Sequence, residues 1–274
     1  MIYSVRCDGT PGYPREAMLD ADSVKWVSVG GSGIDHMTPW DPDAVTVTNS
    51  AGVAADMMAQ YALGGMLHFS LGFPGFRAAQ EKRNWIPDGQ VEPIDDKAVL
   101  IVGLGKTGEA VAARSKAMGL STLGVRARPK PTPHVDEVHG IDALPALWGR
   151  ADFIVVCVPL LDSTRGLVGA DAFAAMKQTA VIIDVSRGGV VDETPLLNAL
   201  TTRALRGAVL DVFSVEPLPA DHPLWACDNV ILTPHCSSVY DGWAIRSVEM
   251  FSENLARYRR GDPLCNIVNP ERGY

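Results

Sequence analysis

The chain has 274 residues, 47% hydrophobic and 20% charged, enough for one large globular domain or two ordinary ones. Its net charge of -8 argues against a nucleic-acid partner, which would leave a basic excess. No membrane span is expected, because the longest apolar segment, 52–72, carries Asp56, Gln60 and His68. The opening MIYSVRCDGT lacks the basic-then-apolar pattern of a signal peptide. Five scattered cysteines (Cys7, Cys157, Cys227, Cys236, Cys265) form no C-x-x-C pair. That predicts free thiols, no metal centre and a cytoplasmic setting.

Short β-branched runs alternate with helical patterns, the mark of a parallel sheet covered by helices. Strands are predicted at IYSVRC (2–7), VKWVSVG (24–30) and AVTVTN (44–49), followed by a long helix, VAADMMAQYALGGMLHFSL (53–71). The Gly-, Pro- and charge-rich stretch 72–97 reads as a connection between domains. Six sharper strands follow at 98–103, 121–125, 152–158, 180–185, 208–213 and 229–234, nearly continuous apolar runs that suit burial on both faces. Helices are predicted at GEAVAARSKAMG, DETPLLNALTTRALRG and WAIRSVEMFSENLARYRRG. The expected class is α/β, with a doubly wound dinucleotide-binding domain over 51–239. A smaller domain is expected from 1–50, with 240–274 returning to it.

The segment AVLIVGLGKTGEA places Gly103, Gly105 and Gly108 in G-x-G-x-x-G between a strand and a helix. The first glycine makes a tight turn, the second admits a pyrophosphate to the backbone, and the third lets helix and strand pack closely. A triphosphatase loop would need glycine at position 100, where Leu100 stands. At the end of the next strand, where an NAD site usually carries an acid, Arg126 is followed by Arg128 and Lys130. Arginine there suits a 2′-phosphate, which favours NADP over NAD; an exposed basic loop without a ligand is the other reading.

Three polar residues lie just past predicted strand ends: Arg187 after AVIIDVS, Glu216 after AVLDVF, and His235 in ILTPHC. That edge of an open α/β sheet is where ligands bind. Arginine can hold a carboxylate through two hydrogen bonds, and histidine moves a proton near neutral pH. Each residue alone has an ordinary structural reading: a loop cap, a solvated acid, a packed ring. Together behind a dinucleotide loop they point to chemistry. His222, in a Pro-rich loop, is the competing histidine.

These motifs, and IIDVSRGGVVDETPLLNAL, LRGAVLDVFSVEPLPADHPLW and NVILTPH above all, resemble the D-isomer-specific 2-hydroxyacid dehydrogenase family, with matches from VKWVSVGGSGIDHM to GDPLCNIVNPERGY. The HPLW element and the arginines at 126 and 128 look most like its glyoxylate/hydroxypyruvate reductase branch. The resemblance implies a Rossmann domain with a flavodoxin-like substrate domain, and a homodimer formed through the cofactor domains. It implies that Arg187 binds the carboxylate and C2 oxygen of a small 2-keto or 2-hydroxy acid, and that His235, paired with Glu216, is the acid/base. Asp211 would contact the nicotinamide carboxamide, and Ser32 and Gly33 the substrate carboxylate. Cys157, Pro159 and Thr164 would line the adenosine side, with Lys106, Thr107 and Val185 completing the cofactor contacts. Family members usually place about two more β/α units before the VKWV strand, so a shortened substrate domain is expected. Gln60 stands where the family more often has an acid. NADPH-dependent reduction is therefore the expected activity; a dinucleotide-sensing binding protein and a truncated, inactive enzyme are the alternatives.

Overall fold

The computed structural model describes residues 1–4, 15–37, 39–89, 91–270 and 272. Val5, Arg6 and Cys7, the end of the first predicted strand, lie outside the described residues. Two compact units result, one of residues 1–54 with 239–274 and one of residues 55–238.

The first unit holds β1 (Ile2–Ser4), α1 (Arg15–Leu19), β2 (Trp26–Val29) and β3 (Thr46–Thr48). The three strands are parallel in the order β1-β2-β3, with Val27 paired to both Ile2 and Val47. Val27, Val29, Val45, Val47 and Met37 form its core. The C-terminal helix Trp243–Arg260 belongs to this unit, and Phe251 and Tyr258 stack on the buried Trp26 at 5.5 and 5.3 Å. The indole N–H of Trp26 donates to Thr48 Oγ1 at 2.9 Å, so the ring buries without an unpaired donor.

The second unit opens with α2 (Ala55–Ser70) and α3 (Phe73–Glu81). It continues through β4 (Ala98–Val102), α4 (Lys106–Ala117), β5 (Ser121–Val125), β6 (Glu137–His139) and α5 (Leu144–Leu147). It closes with β7 (Phe153–Val156), α6 (Ala170–Ala175), β8 (Val181–Asp184), α7 (Glu193–Thr201), β9 (Gly207–Leu210) and β10 (Val230–Leu232). All seven strands are parallel, in the order β10-β9-β8-β7-β4-β5-β6. The chain moves one way from β4 and then returns to β7, so the topological switch lies between these two strands. Alternate residues feed two cores. Leu100, Val102, Ile154, Val156, Ile182 and Leu210 pack on one face, and Val99, Ile101, Val155, Ile183 and Val209 on the other. The sheet is the doubly wound α/β arrangement read from the sequence.

Three local features differ from the sequence expectations. Residues 72–97 lie wholly inside the second unit and contain α3, rather than joining two domains. Pro74 sits in the first turn of α3, where a missing N–H costs nothing, and Ala79 is its one buried residue, so no apolar period marks it. Strand β6 is not foreseen, because its EVH residues are half-buried at a sheet edge and form no apolar run. Helix α7 stops at Thr201, short of the predicted end, where the Thr201 and Thr202 hydroxyls bond back to helix carbonyls and Arg203 takes φ +57°.

Candidate active site

The glycine loop sits at the switch point. Gly103 has φ +110°, and a Cβ there would lie 2.8 Å from Val158 and 2.9 Å from the Cys157 carbonyl. A Cβ on Gly108 would fall 1.9 Å from the Gly103 carbonyl, so only glycine lets α4 start this close to β4. Above Gly105 the space is open, with nothing within 4 Å of an added Cβ. Gly105 caps α4, and the exposed Lys106 begins it, so the first N–H groups of the helix face that opening. Thr107 contacts Met58, its hydroxyl 3.6 Å from the sulfur. The loop therefore fits a pyrophosphate.

The other expected cofactor residues lie at strand ends and in loops of the same unit. Cys157 extends β7, and its thiol donates to the Gly103 carbonyl at 3.0 Å; burial pushes the thiol up to about 12, so it stays protonated. Pro159 is half-buried, its carbonyl accepting the Thr164 hydroxyl at 2.6 Å. That hydroxyl also accepts the Leu161 N–H, so buried Thr164 braces the loop with its side chain. Val185 is buried, its N–H on the Val156 carbonyl. Arg126 follows β5 half-buried, with Thr132 Oγ1 at 3.3 Å and Glu109 at 3.9 Å; Arg128 is exposed.

The three polar residues follow the neighbouring strands β8, β9 and β10, and two of them, Glu216 and His235, are paired. His235 Nδ1 is 2.8 Å from Glu216 Oε2, and the Phe213 N–H donates to Glu216 Oε1 at 3.0 Å. The carboxylate therefore accepts the hydrogen bond from Nδ1–H and leaves Nε2 to exchange a proton with a ligand. Both side chains are about one-third exposed, at 37% and 35%. His235 itself is held at φ +53°, uncommon for a residue with a side chain. Arg187 follows β8, with Nη1 on the Ser186 carbonyl at 2.7 Å. His222 is committed elsewhere: Nδ1 accepts the Leu224 N–H, and Nε2 faces Glu193 at 3.4 Å.

Asp211 is fully buried past β9, and its carboxylate organises the histidine turn. Oδ1 accepts the Thr233 hydroxyl (2.5 Å) and the Cys236 N–H (2.8 Å), and Oδ2 accepts the Ser237 N–H (2.9 Å). Ser32 and Gly33 lie in the first unit, where Asn49 Nδ2 donates to the Ser32 carbonyl at 2.8 Å. Sequence reasoning missed Asn49, Thr233, Tyr61 and Asp184. Asp184 ends β8, almost fully buried; burial pushes its carboxyl up to about 7, while the Ser186 N–H (2.9 Å) and hydroxyl (2.5 Å) pull the other way. An acid inside the apolar run AVIIDV is the one visible sign of it.

A doubly wound sheet with a glycine loop at its switch point, and an Arg–Glu–His set along the same edge, define a dinucleotide-binding domain equipped for acid/base chemistry. Residues 63–237 match the model of the D-isomer specific 2-hydroxyacid dehydrogenase NAD binding domain. The chain belongs to that family of oxidoreductases. A Xanthobacter autotrophicus Py2 family member, solved with NADPH and MES, is 34% identical with a TM-score of 0.88 over 99% of this chain and 85% of its own. The NADPH-dependent glyoxylate/hydroxypyruvate reductase of Sinorhizobium meliloti, solved with NADP and sulfate, is 28% identical with a TM-score of 0.87 over 100% and 86%. D-3-phosphoglycerate dehydrogenase of Methanocaldococcus jannaschii is 32% identical over 93% of this chain and 49% of its own. Among the described residues no helix is long and apolar enough to cross a membrane, and no cluster of His, Cys, Asp and Glu could hold a metal ion.

Proposed function

We propose that the chain is an NADPH-dependent reductase of a small 2-keto acid, glyoxylate or hydroxypyruvate being the preferred substrates. The observation that carries this is the His235–Glu216 pair at 2.8 Å on the edge that also holds Arg187 and the glycine loop. Gly105 and the start of α4 would hold the pyrophosphate, and Arg126, helped by Arg128, the 2′-phosphate. Bound NADPH supplies the hydride to C2. Arg187 orients the keto acid through its carboxylate and stabilises the charge that develops on the C2 oxygen. His235 gives its Nε2 proton to that oxygen, while Glu216 keeps Nδ1 protonated and the ring fixed. The likeness to the S. meliloti reductase supports the choice of substrate. We also assign a cytoplasmic homodimer: four described cysteines are free thiols, and Phe73, Trp85 and Val91 expose apolar surface along 72–97.

The test is oxidation of NADPH, and of NADH in parallel, with glyoxylate, hydroxypyruvate, a bulky 2-keto acid and a phosphorylated one. Preferred turnover of the two small acids with NADPH is expected. NADH preference would remove the phosphate role from Arg126, and preference for the phosphorylated acid would replace the substrate. NADPH binding without any turnover would instead favour a dinucleotide-binding protein.

A further inference from the structure

We propose that Tyr61, on α2, is a positioning residue for His235: acting through Thr233 and Asp211, it locks the turn that aims the imidazole. The inference rests on the acid/base reading of His235. The Tyr61 hydroxyl lies 2.7 Å from Thr233 Oγ1, which lies 2.5 Å from Asp211 Oδ1. The order of protons along this chain follows from the acceptors. Asp211 already accepts the Cys236 and Ser237 N–H groups, and the Thr233 hydroxyl donates to its Oδ1 as well. The Thr233 oxygen then accepts, and Tyr61 must donate. Burial, with Asp211, Cys236 and Asp184 nearby, raises the Tyr61 phenol well above its ordinary value, so the donated proton stays in place.

The turn from Thr233 to Ser237 thus hangs on one buried carboxylate at three points, with His235 between them. The His235 N–H closes the turn on the Thr233 carbonyl at 3.0 Å, and the residue keeps a positive φ. Positive φ is uncommon for a residue with a side chain, and the anchored turn holds His235 there. Tyr61 supplies part of that constraint from a helix 172 residues away in the chain. Glu216 fixes the far side of the ring, and Tyr61 fixes the backbone under it.

The experiment compares Tyr61→Phe, Thr233→Val and Thr233→Ser for kcat, for KM toward the keto acid, and for the His235 titration followed by NMR of 13C-labelled histidine in the ligand-free protein. Tyr61→Phe is expected to lower kcat by roughly fivefold to twentyfold, since small misplacements of a reacting group are costly, with KM changed less than about twofold. The His235 titration should move by at least about 0.3 pH units. Thr233→Val should do the same, and Thr233→Ser should restore both. Wild-type kcat and an unmoved titration in Tyr61→Phe would overturn the proposal, as would equal losses in Thr233→Ser and Thr233→Val. If Tyr61→Phe fails to fold, the two Thr233 variants decide. If the wild-type protein reduces no keto acid, the reductase reading fails, while the NMR titration still tests Tyr61.

Discussion

Replacing Asp184 by asparagine should raise stability at alkaline pH and flatten its pH dependence. The side chain is 3% exposed, and burial lifts its carboxyl from 3.8 to about 7 against the pull of Ser186. The folded-state pKa lies above the unfolded one. Between about pH 4 and 7 the native protein therefore holds a proton that the unfolded chain has released, and stability falls as pH rises through that window. Above pH 7 both states are ionised and the loss is constant. A shift of about three units at 1.36 kcal/mol each sets a ceiling of about 4 kcal/mol, and relaxation around the carboxylate makes about 2 kcal/mol the expected value. Asparagine keeps the oxygen that accepts the Ser186 N–H and hydroxyl, so the backbone leading to Arg187 is preserved. The assay is urea unfolding of both proteins at half-unit steps from pH 4.5 to 8.5, taking the difference so that other titrating groups cancel. The gain should grow up to about pH 7 and then level off. Parallel curves, or a gain largest at low pH, would refute the reasoning.

Arg126→Ala should raise KM for NADPH at least about tenfold and leave NADH nearly unchanged, because only the 2′-phosphate distinguishes the two; equal effects on both would assign Arg126 to the fold. His235→Ala should lower kcat by about a hundredfold or more with little change in KM, whereas Arg187→Ala should damage both; steady-state kinetics showing the reverse split would exchange the two roles. Gly108→Ala should abolish dinucleotide binding, since its Cβ would lie 1.9 Å from the Gly103 carbonyl, and a dinucleotide titration by fluorescence reads the loss directly.

Legibility in the sequence followed burial. Strands β4, β7 and β8 are packed on both faces, so their composition alone marks them, and the ligand edge follows from their ends. Strand β6 and helix α3 bury little, so partly exposed polar residues carry no period to read. The candidate site divides in the same way. Gly103 and Gly108 are forced by close backbone approach, and that need shows as a local motif. Arg187, Glu216 and His235 are legible because each follows a readable strand.

What stayed hidden is the support beneath them. Tyr61 and Thr233 are ordinary residues in ordinary segments, and only the fold makes them neighbours. Asp211 shows the limit best. Resemblance assigns it to the nicotinamide, yet its carboxylate accepts three donors from the His235 turn. Asp211→Asn should therefore loosen that turn as well as any cofactor contact, because an amide nitrogen cannot accept from a backbone N–H. A histidine NMR titration that shifts in the ligand-free variant would show the turn role; one that stays at the wild-type value would leave Asp211 to the cofactor alone.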